Sequence, residues 1–172
     1  DDKLEAAFNR HISLETAYFA SVYASYFKPD FQEQLKLIPE AAGRLEYICL
    51  CAKEQGLSIY LLIDEYDNFT NTILSSKGND VYHSLTHDSG FYRSFFNVVK
   101  GVTTGAEAPV KRMFITGVSP VTLDDVTSGF NIGTNITTDE RFNSMVGFSE
   151  SELHEMLSYY QSEGMLVDSI DD

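Results

Sequence analysis

Two short apolar runs in this chain end directly in polar groups. Leu57-Ser58-Ile59-Tyr60-Leu61-Leu62-Ile63 runs into Asp64-Glu65-Tyr66-Asp67, and Arg112-Met113-Phe114-Ile115-Thr116 into Gly117-Val118-Ser119-Pro120. A carboxylate at the tip of a rigid strand is held still. Mg²⁺ attached to a nucleotide keeps several waters and takes one or two carboxylates, a role that suits Asp64. A second carboxylate one residue on, Glu65, is placed to orient or deprotonate an attacking water. A hydroxyl at the second tip, from Thr116 or Ser119, would face the terminal phosphate as a sensor. Each group also has a plainer reading. The acid pair is equally a solvated strand end, and the hydroxyls are equally caps on local backbone. The second strand tilts the balance toward chemistry. A carboxylate hydrolase built from Asp64, Glu65 and Asp67 is a weaker third reading, since no nucleophile or metal cluster supports it.

The elements that would position these groups follow from the pattern around them. The run from Leu57 to Ile63 is too continuously apolar for a sheet with one wet face. It predicts a central strand buried on both faces by helices, with chemistry beyond the carboxyl ends of parallel strands. The first third reads as helix. Ser13 to Tyr26 is broken by Lys28-Pro29-Asp30, and Phe31 to Leu37 is a short piece. Pro39 opens a longer helix with Leu45, Ile48 and Ala52 as its apolar stripe, stopped by Gly56. Gly78-Asn79-Asp80 is a turn, followed by a helical Val81 to Leu85. Phe91 to Lys100 is a helix with Phe91, Phe95 and Val98 or Val99 on one face, ended by Gly101. Thr122 to Thr138 reads as loop and Asp139 to Met145 as a short helix. A last helix opens on the capping box Ser149–Glu152, carries Leu153, Met156 and Leu157, and ends at Gly164. The fold class is therefore α/β: a small, mainly parallel sheet flanked by helices, with a helical C-terminal segment. The expected division is a core over 1–146 and the start of a helical lid over 147–172.

Composition narrows the classes. The chain has 172 residues and a formal net charge of −14, from 26 acidic and 12 basic residues. Such a surface repels phosphate, so direct nucleic-acid binding is not expected. No apolar run reaches membrane-spanning length, and a cytoplasmic location is the default expectation. Cys49 and Cys51 are two apart in a helical pattern and point to different faces, which suits reduced structural thiols better than a disulfide or zinc site. His11, His83, His87 and His154 are scattered. Arg93 suits surface snorkelling, and Arg141 a local ion pair with its acidic neighbours. Tyr18, Phe19, Tyr23, Tyr26 and Phe27 lie at helical spacing and suit a core or an interface better than base stacking.

Taken in order, the Ile63–Asp67 segment, Phe91 to Phe96, Phe114 to Ser119, Ser128 to Ile132, and Gly147-Phe148-Ser149 with Glu152-Leu153 resemble the bacterial AAA-ATPase-like family over roughly residues 57–157. The resemblance implies a P-loop ATPase branch that uses ATP and Mg²⁺, with Asp64 and Glu65 as the Walker B pair and Thr116 or Ser119 as the sensor. It also implies relatives that continue into a C-terminal nuclease-like domain. One departure stands out. No Gly-x-x-x-x-Gly-Lys-Ser/Thr run occurs: Gly43 is the first glycine, and Gly43-Arg44-Leu45 lies inside a helical pattern. The lysine and backbone nest that cradle phosphates are thus absent from these residues. The expectation is a truncated ATPase domain, inactive and binding no cofactor by itself, whose partner is a missing ATPase half or nuclease-like domain. Sheet edges left open by such a truncation favour a homo-oligomer, and a non-enzymatic interaction domain is the alternative.

Overall fold

The computed structural model describes residues 2–86, 90–118, 133–145 and 147–165. They fall into two compact units, within residues 1–133 and 134–172. The first unit runs α1 (Asp2–Val22), a 3₁₀ turn (Ala24–Tyr26), α2 (Phe31–Lys36), α3 (Ala41–Glu54), β1 (Ile59–Ile63), α4 (Asn68–Lys77), α5 (Asn79–Thr86), α6 (Phe91–Thr103) and β2 (Val110–Ile115). The class is helix-rich α/β. Among the described residues the sheet has two strands, β1 and β2, and they pair in parallel. Tyr60 lies opposite Arg112, Leu62 opposite Phe114 and Ile63 opposite Ile115. A parallel pair cannot close through a tight turn, and α4, α5 and α6 make the crossover.

Helix α1 starts at Asp2, eleven residues ahead of the expected Ser13. Leu4, Phe8 and Ile12 recur at helical spacing and pack into the main core, although charged residues stand between them. Phe8 is the hub. Its ring lies 5.5 Å from Phe69, 5.4 Å from Phe91, 5.6 Å from Tyr92 and 5.4 Å from Phe95. One residue on, the Asn9 side-chain oxygen accepts the Ala41 N–H at 2.8 Å, which satisfies an orphan donor in the first turn of α3. Leu45, Ile48 and Ala52 of α3 are buried, as their spacing predicts.

Three further features of the first unit depart from the sequence reading. Helix α6 passes through Gly101 to Thr103. Glycine in a helix costs about 1 kcal/mol, which the fully buried Val99 and the core-packed Val102 on either side outweigh. Helix α4 has no counterpart in the sequence reading, yet it buries Thr70 and Ile73. The third correction concerns β1, which is not buried on both faces. Ile59, Leu61 and Ile63 pack on the main core, whereas Tyr60 is 59% and Leu62 67% exposed. The described helices cover one face of the two-stranded sheet, so a continuously apolar strand shows two of its five side chains to solvent.

A smaller cluster joins Ala20, Phe31, Leu35 and Ile48, with Phe19 and Phe27 against it. Phe27 stacks on Phe31 at 4.0 Å. Of the N-terminal aromatic set, these two serve packing, while Tyr18 and Tyr26 stand in solvent. Arg44 of α3 is buried. Its guanidinium reaches the Thr16 hydroxyl at 3.3 Å, but its Nε has no partner among the described residues, and burial lowers its pKa. Cys49 is buried and free, and burial pushes its thiol up to about 12; Cys51 is half-buried and free.

In the second unit the expected helix over Asp139–Met145 is a 3₁₀ turn, Glu140–Phe142. Arg141 donates to Asp139 at 2.6 Å, the expected local ion pair. Helix α7 (Glu150–Ser162) starts on the full Ser149–Glu152 capping box. No residue of α7 is buried.

Candidate functional site

Backbone pairing carries the two strands one step past their ends. The Thr116 N–H donates to the Ile63 carbonyl at 2.9 Å, and the Tyr66 N–H to the Thr116 carbonyl at 3.0 Å. Asp64, Glu65 and Thr116 therefore meet at adjacent strand tips. The Thr116 hydroxyl donates in a short contact to Asp64 Oδ1 and accepts the Glu65 N–H at 3.1 Å. One hydroxyl thus ties a carboxylate and the next residue's backbone into a single unit. Glu65 has φ 48°, in the left-handed region that an ordinary side chain avoids. Asn68 holds it from the other side, with Nδ2 on Glu65 Oε2 at 3.1 Å and its N–H on the Glu65 carbonyl at 2.9 Å.

Asp64 and Glu65 are exposed. Among the described residues, Asp64 Oδ2 and Glu65 Oε1 accept no hydrogen bond, so each acid keeps one oxygen open. Both open atoms are hard oxygen donors. No group of three or more His, Cys, Asp or Glu that could hold a metal occurs among the described residues. Mg²⁺ is usually held by one or two carboxylate oxygens with the remaining positions left to water and ligand, and the open oxygen of Asp64 is a donor of that kind.

A groove of about 990 Å³ adjoins the site. It is lined by the whole of β1 with Asp64 and Glu65, by α1 from Ala7 to Phe19, and by residues of α3, α4 and α6. Its lining is mostly apolar, with His11, Glu15, Thr16, Asn68 and Thr72 as polar exceptions besides the two acids.

Sequence reasoning grouped Asp67 with Asp64 and Glu65 as a third acid. The structure separates it. Asp67 is 1% exposed, and its carboxylate accepts the Val118 N–H at 3.1 and 3.0 Å and Asn71 Nδ2 at 3.0 Å. A buried acid saturated with donors fastens the turn after β2 and is not open to a substrate. The spacing Asp67, Thr70, Asn71 is the signal that was available, because a residue before a helix commonly bonds groups three and four positions on. Gly117 was read only as part of a turn. A Cβ there would stand 2.2 Å from the Tyr66 ring, so only glycine permits the approach. Ser119, the other sensor candidate, lies outside the described residues, as does the Ser128 to Ile132 segment.

The fold and site define an α/β protein whose acidic strand tip is tied to a hydroxyl on the parallel neighbour. Residues 1–127 match the model of the AAA-ATPase-like family, described as "Predicted AAA-ATPase", and the chain belongs to that family. The match reaches back through α1, α2 and α3, which the resemblance over 57–157 left out, and it stops short of Ser128 and of α7. No curated protein and no solved structure matches the chain.

Proposed function

We propose that this chain supplies the magnesium and water side of a P-loop ATPase site. Asp64 is the Walker B carboxylate on the metal side, Glu65 orients the attacking water, and the Thr116 hydroxyl is the sensor. The observation that carries the reading is the Thr116 hydroxyl bridging Asp64 Oδ1 and the Glu65 N–H at the tips of parallel strands. Bound Mg²⁺ would neutralise charge developing on the phosphates. The chain's own part is to hold two carboxylates rigidly, each with an oxygen facing out. No Gly-x-x-x-x-Gly-Lys-Ser/Thr run lies in these residues, so the phosphate cradle would come from outside them. We expect no hydrolysis above background from the chain alone, because positioning of the phosphates supplies most of the catalysis in this chemistry.

Melting curves test the binding claim. Mg-ATP at ten times its dissociation constant adds about 1.4 kcal/mol, or about 3–6 °C in Tm for a chain this size. The rise should vanish in Asp64→Asn and with EDTA. Saturating Mg-ATP without any rise would mean that these residues hold no nucleotide without the phosphate cradle.

One observation favours a second reading, an interaction domain. Tyr60 and Leu62 expose apolar surface on the sheet's open face, and the sheet has unpaired edges among the described residues. On this reading the chain self-associates or pairs with a separate ATPase half or a nuclease-like domain. Light scattering at micromolar concentration should then give at least twice the 19.3 kDa chain mass. A monomer at that concentration rules out self-association.

A further inference from the structure

We propose that Asp67 is the positioning residue for the Thr116 hydroxyl; the inference rests on the ATP-site reading only for what that hydroxyl does. Three ties join the turn after β2 to the segment after β1. The Tyr66 N–H binds the Thr116 carbonyl at 3.0 Å, the Val118 N–H binds the Asp67 carboxylate, and the Thr116 hydroxyl lies between Asp64 and the Glu65 N–H. Between the first two ties Gly117 sits against the Tyr66 ring and Asp67 Oδ1, where a Cβ would approach to 2.2 and 2.8 Å. Residues 116–118 are thereby pinned on both sides of the hydroxyl.

The Asp67 end of this clasp is itself fixed. Asn71 Nδ2 holds the carboxylate at 3.0 Å, and the Asp67 carbonyl accepts the Thr70 hydroxyl at 2.9 Å and the Asn71 N–H at 2.8 Å. The Tyr92 hydroxyl donates to the Tyr66 carbonyl next door, in the buried aromatic core. A buried carboxylate with several donors is a stiff anchor, since releasing it leaves an unsatisfied buried charge. Asp64 and Thr116 are half-buried or exposed and have no comparable packing of their own. The rigidity of the open tip comes from the closed clasp behind it.

Amide hydrogen exchange of the nucleotide-free chain tests this directly. Asp67→Asn keeps the shape but turns an amide NH₂ toward donors. It should speed exchange at the Val118 and the Glu65 amides by at least about tenfold, and leave the Leu61 amide in the sheet unchanged. Thr116→Val should free the Glu65 amide alone. If Asp67→Asn does not fold, Asn71→Ala removes one donor and should give the same order of effects at smaller size. Release of Val118 with Glu65 still protected would mean that Asp67 merely caps the turn. An equal loss across Leu61, Glu65 and Val118 would mean a general structural role. Either result overturns the proposal, and neither bears on the Mg-ATP melting test, which judges the site reading separately.

Discussion

Helices α6 and α7 have the same length and opposite foundations. α6 begins at Gly90 with no side-chain cap, yet it buries Tyr92, Phe95, Phe96 and Val99. α7 begins on a complete capping box, with the Ser149 N–H on Glu152 Oε2 at 2.8 Å and the Glu152 N–H on Ser149 Oγ at 3.3 Å. It buries nothing, and Leu153 and Tyr159 are 42% and 60% exposed. Tertiary packing specifies the first helix and local hydrogen bonding the second. Packing energy is shared across the whole unit, whereas a cap acts within one turn, so damage should spread from α6 and stay confined in α7.

The largest break should come from Phe96→Ala. Its ring meets Tyr92 at 5.1 Å and Phe95 at 5.6 Å in the centre of the core. The loss of about 3–5 kcal/mol should appear in urea unfolding of the whole first unit. A cost below about 1 kcal/mol would mean that the core repacks freely and that α6 is not its foundation. Arg44→Met asks the converse question of α3. A buried guanidinium with an unpartnered Nε is costly, so a flexible apolar replacement should leave stability equal or raise it by about 1 kcal/mol or more. A fall of that size would show that the Thr16 contact outweighs desolvation.

Ser149→Ala should cost about 1 kcal/mol, read as fraying at the start of α7 with the melting of the first unit unchanged. The cap also carries a pH signature. Hydrogen bonds from the Ser149 side chain and backbone hold the Glu152 carboxyl below its usual pKa. A depressed carboxylate stabilises above the unfolded value, and that contribution is lost as pH falls through the folded value. Fraying should therefore grow on acidification in the parent chain, and less so in the alanine variant, which keeps only the backbone hydrogen bond to Glu152.

The same division explains what the sequence revealed. The Ser149–Glu152 cap, the Leu45–Ile48–Ala52 stripe and the two strands ending in Asp64 and Thr116 are local patterns, and each is found in the structure. What stayed hidden depends on distant partners. Phe8 is a core hub only because α6 and α4 bring their rings to it, and Asp67 is a buried anchor only because Val118 lies 51 positions away in sequence and beside it in space. The open face of β1 was misread for the same reason. Composition shows that Tyr60 and Leu62 suit burial, but it does not show what covers them.

Glu65 is where local preference is overruled most plainly, and it gives the smallest and sharpest test. Its φ of 48° suits glycine, and a side chain there carries about 1–2 kcal/mol of strain. The Thr116 hydroxyl on its N–H and Asn68 on its carboxylate and carbonyl hold it in place. A strained residue persists when its surroundings over-determine it, and such residues gather at functional sites. Glu65→Gly removes the strain and keeps both backbone hydrogen bonds, losing only the exposed Asn68 contact to the side chain. Glycine also loosens the unfolded chain, which cancels part of the gain. The net expectation is a rise of about 0.5–1 kcal/mol in urea unfolding, with any role of the carboxylate lost. A more stable variant would show that the glutamate is kept against the backbone's preference. A loss of stability would show that the side chain itself holds the turn, and the strain argument would fall.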